Sequence, residues 1–149
     1  MDTTPPHNGA KVALFLGDQL VSILRDDLPH IPHPNRWDLP GGGRERGESP
    51  FETMAREVQE ELGLIIPAEA VLWERAFSSA SVPTTWNAFF VAQMPAAAAA
   101  DIVFGDEGQR WALFTYDAFI ALPDVLHYYP DRLALWIKET GGLPAPPNF

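Results

Sequence analysis

Glu57, Glu60 and Glu61 stand three and four positions apart, a spacing that gathers side chains on one side of a helix. At about 100° per residue, with Phe51 at zero, Glu60 falls near 180°, Glu57 near 240° and Glu61 near 280°. Phe51, Met54, Ala55, Val58 and Leu62 form an apolar stripe on the other side. Like charges at these spacings cost roughly a few tenths of a kcal/mol per pair. A hard divalent cation accepts several carboxylate oxygens and removes that repulsion. Metal-assisted chemistry is therefore one reading of the triad, and a solvated helix face is the other. Arg56 borders the acidic face, and Glu48 lies eight residues before it, so an ion pair between them would pin the preceding loop to the helix. The triplet Gly41-Gly42-Gly43 lets the backbone turn sharply and approach a ligand closely.

The elements that must position these residues can be read on both sides. Ser49 is suited to the N-cap, Pro50 to the first helical position and Glu52 to a capping box, and Gly63 supplies the stop. Upstream, the apolar runs Lys11 to Leu16 and Leu20 to Leu24 flank Gly17-Asp18 and predict a hairpin. Prolines at 29, 32 and 34 make residues 26–35 an irregular, ordered loop, after which Trp37-Asp38-Leu39 runs extended into Pro40. Downstream, Val71 to Phe77, Thr84 to Val91 and Gln109 to Thr115 read as strands. Pro95 places Ala96 to Ala100 in a connection. Tyr116 to Leu122 reads as a short helix, and Asp131 to Lys138 as a helix capped by Asp131 and ended by Gly141-Gly142. Residues 1–9 read as a flexible arm, 10–142 as one domain and 143–149 as a loose Pro-rich tail. Strands on both sides of one well-signalled helix, then a final helix, point to an α/β (α+β) fold with a mixed sheet between helices, not a βαβ series.

Bulk properties narrow the chemistry. The chain has 149 residues and 46% apolar composition, enough for one domain with a sizeable core. Its net charge of −10 disfavours polymeric nucleic acid, since phosphate binding needs clustered Lys and Arg. A bound divalent cation would still admit one small anionic substrate. The absence of cysteine rules out disulfides and thiolate metal sites. No apolar run approaches the ~20 residues that span a membrane, and Met1 to Gly9 carries no apolar signal core, so a cytoplasmic protein is expected.

Taken together, Gly42, Glu48, Arg56-Glu57-Val58, Glu60-Glu61 and Gly63-Leu64 resemble the Nudix box at every fixed position over 23 residues. The run Trp37-Asp38-Leu39-Pro40-Gly41 also looks like the usual approach to that box. The resemblance implies an α/β/α sandwich on a mixed sheet, with the box as loop, helix and loop. It implies hydrolysis of nucleoside diphosphates linked to another moiety, with Mg²⁺ or Mn²⁺ held by Glu57, Glu60 and Glu61 and the backbone carbonyl near Gly42. One of these glutamates would instead orient or deprotonate the attacking water. Glu48 and Arg56 would support the loop.

The stretch Glu107-Gly108-Gln109-Arg110-Trp111 resembles a run in MutT-type members, which makes Glu107 a candidate ligand or base from outside the box, with Asp106 as the alternative. MutT-type members convert a nucleoside triphosphate to a monophosphate and pyrophosphate. Arg25, Arg36 and Arg44 are candidate phosphate contacts, or simply solvated cations. Trp86, Phe90 and Tyr128 could stack on a base, or pack. His127 reads as a turn residue. The partner expected is a small nucleotide-type phosphoanhydride, and a homodimer is left open. A non-catalytic nucleotide sensor on the same fold is the competing reading, although degenerate members usually lose box glutamates that this chain keeps.

Overall fold

The structure is a computed structural model in which residues 5–79 and 84–144 are described. Residues 1–4 of the expected arm and 145–149 of the expected tail lie outside the described residues. The hairpin forms where the apolar runs placed it. Strands β1 (Gly9–Leu16) and β2 (Gln19–Leu24) pair antiparallel, with Phe15 opposite Leu20. Gly17 makes the turn at φ 66°, a left-handed conformation that glycine adopts without strain.

Strands β3 (Trp37–Asp38), β4 (Gly41–Gly43), β5 (Val71–Ser78), β6 (Trp86–Met94) and β7 (Arg110–Thr115) complete the sheet. The main order is β3-β2-β1-β6-β5, with β4 on β1 and β7 on β2. The β1–β6 pair is parallel and the other pairs are antiparallel, so the sheet is mixed.

Side chains alternate across β1, and this alternation splits the core in two. Val12, Leu14 and Leu16 face a layer closed by Met54, Val58 and Leu62 of α1 (Pro50–Leu62). Ala13 and Phe15 face a layer closed by Phe119 of α2 (Tyr116–Ile120) and by Tyr129, Leu133 and Trp136 of α3 (Tyr129–Thr140). The result is the expected α/β/α sandwich. Among the described residues no helix is long and apolar enough to cross a membrane.

Beyond shifts of a few residues at element ends, such as Trp86–Met94 for the strand expected over Thr84 to Val91, four features differ from the reading of the sequence. The glycine triplet is a strand as well as a turn, since Gly43, Gly42 and Gly41 pair with Gly9, Ala10 and Lys11. The alanine run after Pro95 winds into a 3-10 helix over Ala96–Asp101, because alanine has no side chain to oppose a helical turn. The last helix begins at Tyr129 with Pro130 in its first turn, and Asp131 lies inside that turn instead of capping it. Finally, residues 5–9 are not a free arm. His7 is buried with its Nε2 2.8 Å from Thr53 Oγ1, and Gly9 already belongs to β1.

Candidate active site

The helix that carries the acids is built as its sequence requires. Ser49 Oγ accepts from Glu52 N at 3.2 Å, and Glu52 Oε1 accepts from Ser49 N at 3.0 Å, closing the capping box. Gly63 ends the helix at φ 67°. The apolar stripe is buried against the sheet, and this turns Glu57, Glu60 and Glu61 toward the glycine strand β4 and the loop before β7.

Glu57 and Glu61 are each fitted to a glycine. Gly41 N donates to Glu61 Oε1 at 2.8 Å. A Cβ on Gly42 would lie 2.6 Å from the Glu57 carboxyl carbon, so this position must lack a side chain if Glu57 is to stay where it is. Gly41 is constrained differently, by a φ of 135° and by the Ala10 carbonyl oxygen 2.1 Å from where its Cβ would be.

Arg56 ties loop and helix together, as its spacing from Glu48 anticipated. Its Nε and second terminal nitrogen reach the two Glu48 oxygens at 2.6 and 3.1 Å, and the same terminal nitrogen donates to Gly43 O at 2.8 Å. Its remaining terminal nitrogen meets Glu57 at 3.0 Å and Glu60 at 3.2 Å. The Arg56 fork beside Glu48 holds that carboxyl down at about 2. Glu48 also accepts from Thr53 Oγ1 and from Glu45 N.

Glu57, Glu60 and Glu61 line one depression of roughly 170 Å³ together with Asp106 and Glu107. Burial pushes Glu61 up to about 7, against the opposing pull of the Lys11 ammonium and the Gly41 N–H. Burial also raises Glu57, with Arg56 opposing. The donor set is all oxygen and its members gather in one depression, so the residues fit a hard divalent cation. Among the described residues no three acidic or histidine side chains are already drawn to ligating distance, and Arg56 holds oxygens of both Glu57 and Glu60.

Glu107 is delivered to this depression by a loop seated on the end of α1. Val103 N donates to Leu62 O and Gly105 N to Glu61 O, both at 2.9 Å. A Cβ on Gly105 would meet Glu60 O at 2.5 Å, so the loop can approach this closely only with glycine there. On its far side Gly108 N donates to Asp26 Oδ2, and Gln109 Nε2 donates to Arg25 O and Asn35 Oδ1.

Two further cavities flank the glycine strand. One, of roughly 370 Å³, is lined by Lys11, Arg25, Asp38, Gly41, Glu61 and Glu107 among others. The other, of roughly 390 Å³, is lined by Asn8, Gly42, Asn87, His127, Tyr128 and Arg132 among others. Arg25 therefore stands at the site, donating to Asp38 Oδ2 at 3.0 Å, and Tyr128 stands in the second cavity. Arg36 is exposed and lines neither cavity. Arg44 also lines neither, and its Nε donates to Glu48 O, which makes it part of the box loop. Trp86 donates to Pro5 O, and Phe90, 1% exposed, packs under α1 beside Phe51. Both aromatics are thus occupied by packing, away from the two cavities.

Lys11 and Asp38 are the residues that sequence reading passed over. Lys11 Nζ donates to Asp38 Oδ2, Leu39 O and Gly41 O at 3.1–3.2 Å, so it cross-links β1 to the turn that presents the glycines. Burial alone would raise Asp38, but Lys11, the Tyr129 hydroxyl, Leu39 N and Arg25 together hold it below its usual value. The available signal was a lone charge inside each apolar run.

Comparison with known proteins bears on the fold and the family. A MutT protein from Methanosarcina mazei Go1 superposes at a TM-score of 0.72 with 18% identity, covering 93% of this chain and 98% of that one. A C. elegans Ap4A hydrolase superposes at 0.63 with 18% identity, covering 89% and 96%. A bifunctional NMN adenylyltransferase/ADP ribose pyrophosphatase from Francisella tularensis, complexed with AMP and a manganese ion, superposes at 0.71 with 17% identity. It covers 93% of this chain, whereas the chain spans only 43% of that larger protein. At such identities the likeness is one of fold. The family is carried by the sequence itself: the NUDIX domain model matches residues 5–135, and with the box helix and its glycine strand folded as described, the chain belongs to the NUDIX family.

Proposed function

We propose that the chain hydrolyses a phosphoanhydride bond in a small nucleotide-linked diphosphate, using Mg²⁺ or Mn²⁺. The observation that carries this reading is the acidic depression in which Glu57, Glu60 and Glu61 meet Glu107, beside the glycine strand whose Gly41 N donates to Glu61. A bound divalent cation there would neutralise phosphate oxygens and lower the pKa of a water. Glu57, Glu60 and Glu61 would hold it, with the Gly42 carbonyl, and one of these glutamates or Glu107 would orient the attacking water. Lys11 and Arg25 line the cavity that adjoins Glu61 and would receive substrate phosphates there, offsetting the net acidity of the chain. Glu48 and Arg56 would keep β4 and α1 in register. The superposed proteins named for ADP-ribose, Ap4A and MutT activities support a nucleotide substrate, and a triphosphate cleaved to monophosphate and pyrophosphate is included. A cytoplasmic setting suits such a substrate.

The test is a panel of nucleoside triphosphates, nucleotide sugars and dinucleoside polyphosphates with Mg²⁺, with products identified. The wild-type chain should turn over at least one class, and Glu61→Gln should not. Equal activity of the two proteins would remove the proposed site. Nucleotide binding with no turnover of any compound would instead favour a sensor.

A further inference from the structure

His7 lies far outside the box, yet its imidazole begins a chain of hydrogen bonds that ends at the acidic depression. The ring is buried, with Nε2 2.8 Å from Oγ1 of Thr53, a buried position of α1 46 residues further on. Thr53 Oγ1 donates to Glu48 Oε1 at 3.1 Å. Glu48 receives the Arg56 fork at 2.6 and 3.1 Å, and the remaining terminal nitrogen of Arg56 reaches Glu57 at 3.0 Å and Glu60 at 3.2 Å. Residues 5–8 are themselves held from two sides. Trp86 Nε1 donates to Pro5 O and Asn8 N to Trp86 O, both at 2.7 Å, while Arg44 N of the box loop donates to Asn8 O at 3.0 Å. The His7 ring also rests against Trp86, with centroids 5.7 Å apart.

The direction of the chain follows from its chemistry. Glu48 is ionised, held at about 2 by the Arg56 fork, so it only accepts. A hydroxyl carries one proton, and Thr53 gives that proton to Glu48. The Thr53 oxygen therefore accepts from His7, which places the imidazole proton on Nε2. Burial, helped by the Arg44 guanidinium, holds His7 below its usual value, so at neutral pH the ring has one proton to place. An apolar ring of similar size would fill the space but leave the buried Thr53 oxygen without a donor. A helical threonine hydroxyl can turn instead to the carbonyl four residues back, here that of Ser49. Linked hydrogen bonds polarise one another, so donation from His7 strengthens the hold of Thr53 on Glu48. We propose that His7 is a positioning residue for the acidic site: through Thr53 it fixes Glu48, and through Glu48 the Arg56 fork that sets Glu57 and Glu60. The inference rests on the divalent-cation reading of the preceding subsection and extends it to a residue outside the box.

Two measurements on the full chain test this without turnover. Long-range proton–nitrogen spectra at neutral pH should show His7 with its proton on Nε2 and a bare Nδ1. Binding of Mn²⁺, followed by the electron spin resonance of the free ion, reads the site itself, and the relevant binding is the part that Glu61→Gln abolishes. His7→Phe should weaken that binding about three- to tenfold, less than the roughly 10–100-fold lost with a group bonded directly to a metal ligand. Thr53→Val should have the same effect, and the double variant no more than either alone, because both break one chain. His7→Gln, which keeps a donor at similar reach, should restore most of the affinity. Equal losses in His7→Phe and His7→Gln would make His7 a packing residue and overturn the proposal. So would wild-type affinity in His7→Phe, or an Nε2 without its proton. A wild-type chain that binds no Mn²⁺ would overturn the cation reading and this proposal with it. Binding as expected, with no hydrolysis of any anhydride, would instead overturn the hydrolytic reading alone.

Discussion

At the scale of single residues, the neighbouring glycines Gly41 and Gly42 are needed for different reasons, and substitution should separate them. Alanine at 42 is permitted by the backbone but collides with the flexible end of Glu57. Gly42→Ala should therefore cost little stability, under about 1 kcal/mol, while displacing a carboxylate and cutting turnover about tenfold or more. Alanine at 41 meets the backbone of Ala10 at a left-handed φ, so Gly41→Ala should lower the melting temperature markedly. Melting curves and pyrophosphate release on the two variants check both outcomes. Glu61→Gln should reduce kcat by about 100-fold or more with the melting temperature nearly unchanged, if Glu61 acts in the chemistry and not in the fold. The shared face of Glu57, Glu60 and Glu61 was legible in sequence as types and spacing, because a helix converts spacing directly into a shared face. Lys11 and Asp38 were not, since their partnership joins positions 27 apart through sheet pairing that no local pattern encodes.

Among elements, α1 was the most legible, down to Ser49, Pro50, Glu52 and Gly63, because caps and stripes are local physics. Ser49→Ala should remove about 1 kcal/mol, measured by denaturant titration. The start of α3 was misplaced because Tyr129 is held by burial and by Asp38, a tertiary effect that outweighs the local preference of Asp131 for a cap. The glycine strand was hidden for a related reason: its pairing with β1 replaces the side-chain pattern that marks other strands. The link between box loop and helix has a pH signature. Glu48 sits at about 2 in the folded chain against an ordinary value near 4.5. The depressed value means that its contribution is fully present above about 4.5 and is lost as pH falls toward 2. Glu48→Gln should thus melt below wild type at neutral pH, and the gap should close across that acid window.

On the scale of the whole molecule, two hydrophobic layers on one sheet hold the site. Removing Met54 from the layer under α1 tests how firmly the acids depend on it. Met54→Ala should cost about 2–5 kcal/mol, and activity measured well below its melting temperature should fall less than in Glu61→Gln. Mixed parallel and antiparallel pairing followed from the order of elements in sequence, whereas the strand order did not, because β1 joins β6 across more than 60 intervening residues.

The docking of residues 103–105 onto the last carbonyls of α1 links two parts of the site mechanically. Those carbonyls would otherwise face solvent, and the loop that caps them is the one that carries Glu107. Opening that loop would uncap the helix at Glu61 and Leu62, so acids far apart in sequence would loosen together. Amide hydrogens of Val103 and Gly105 should exchange in step with those of the last turn of α1, and a residue inserted between Val103 and Glu107 should loosen both together.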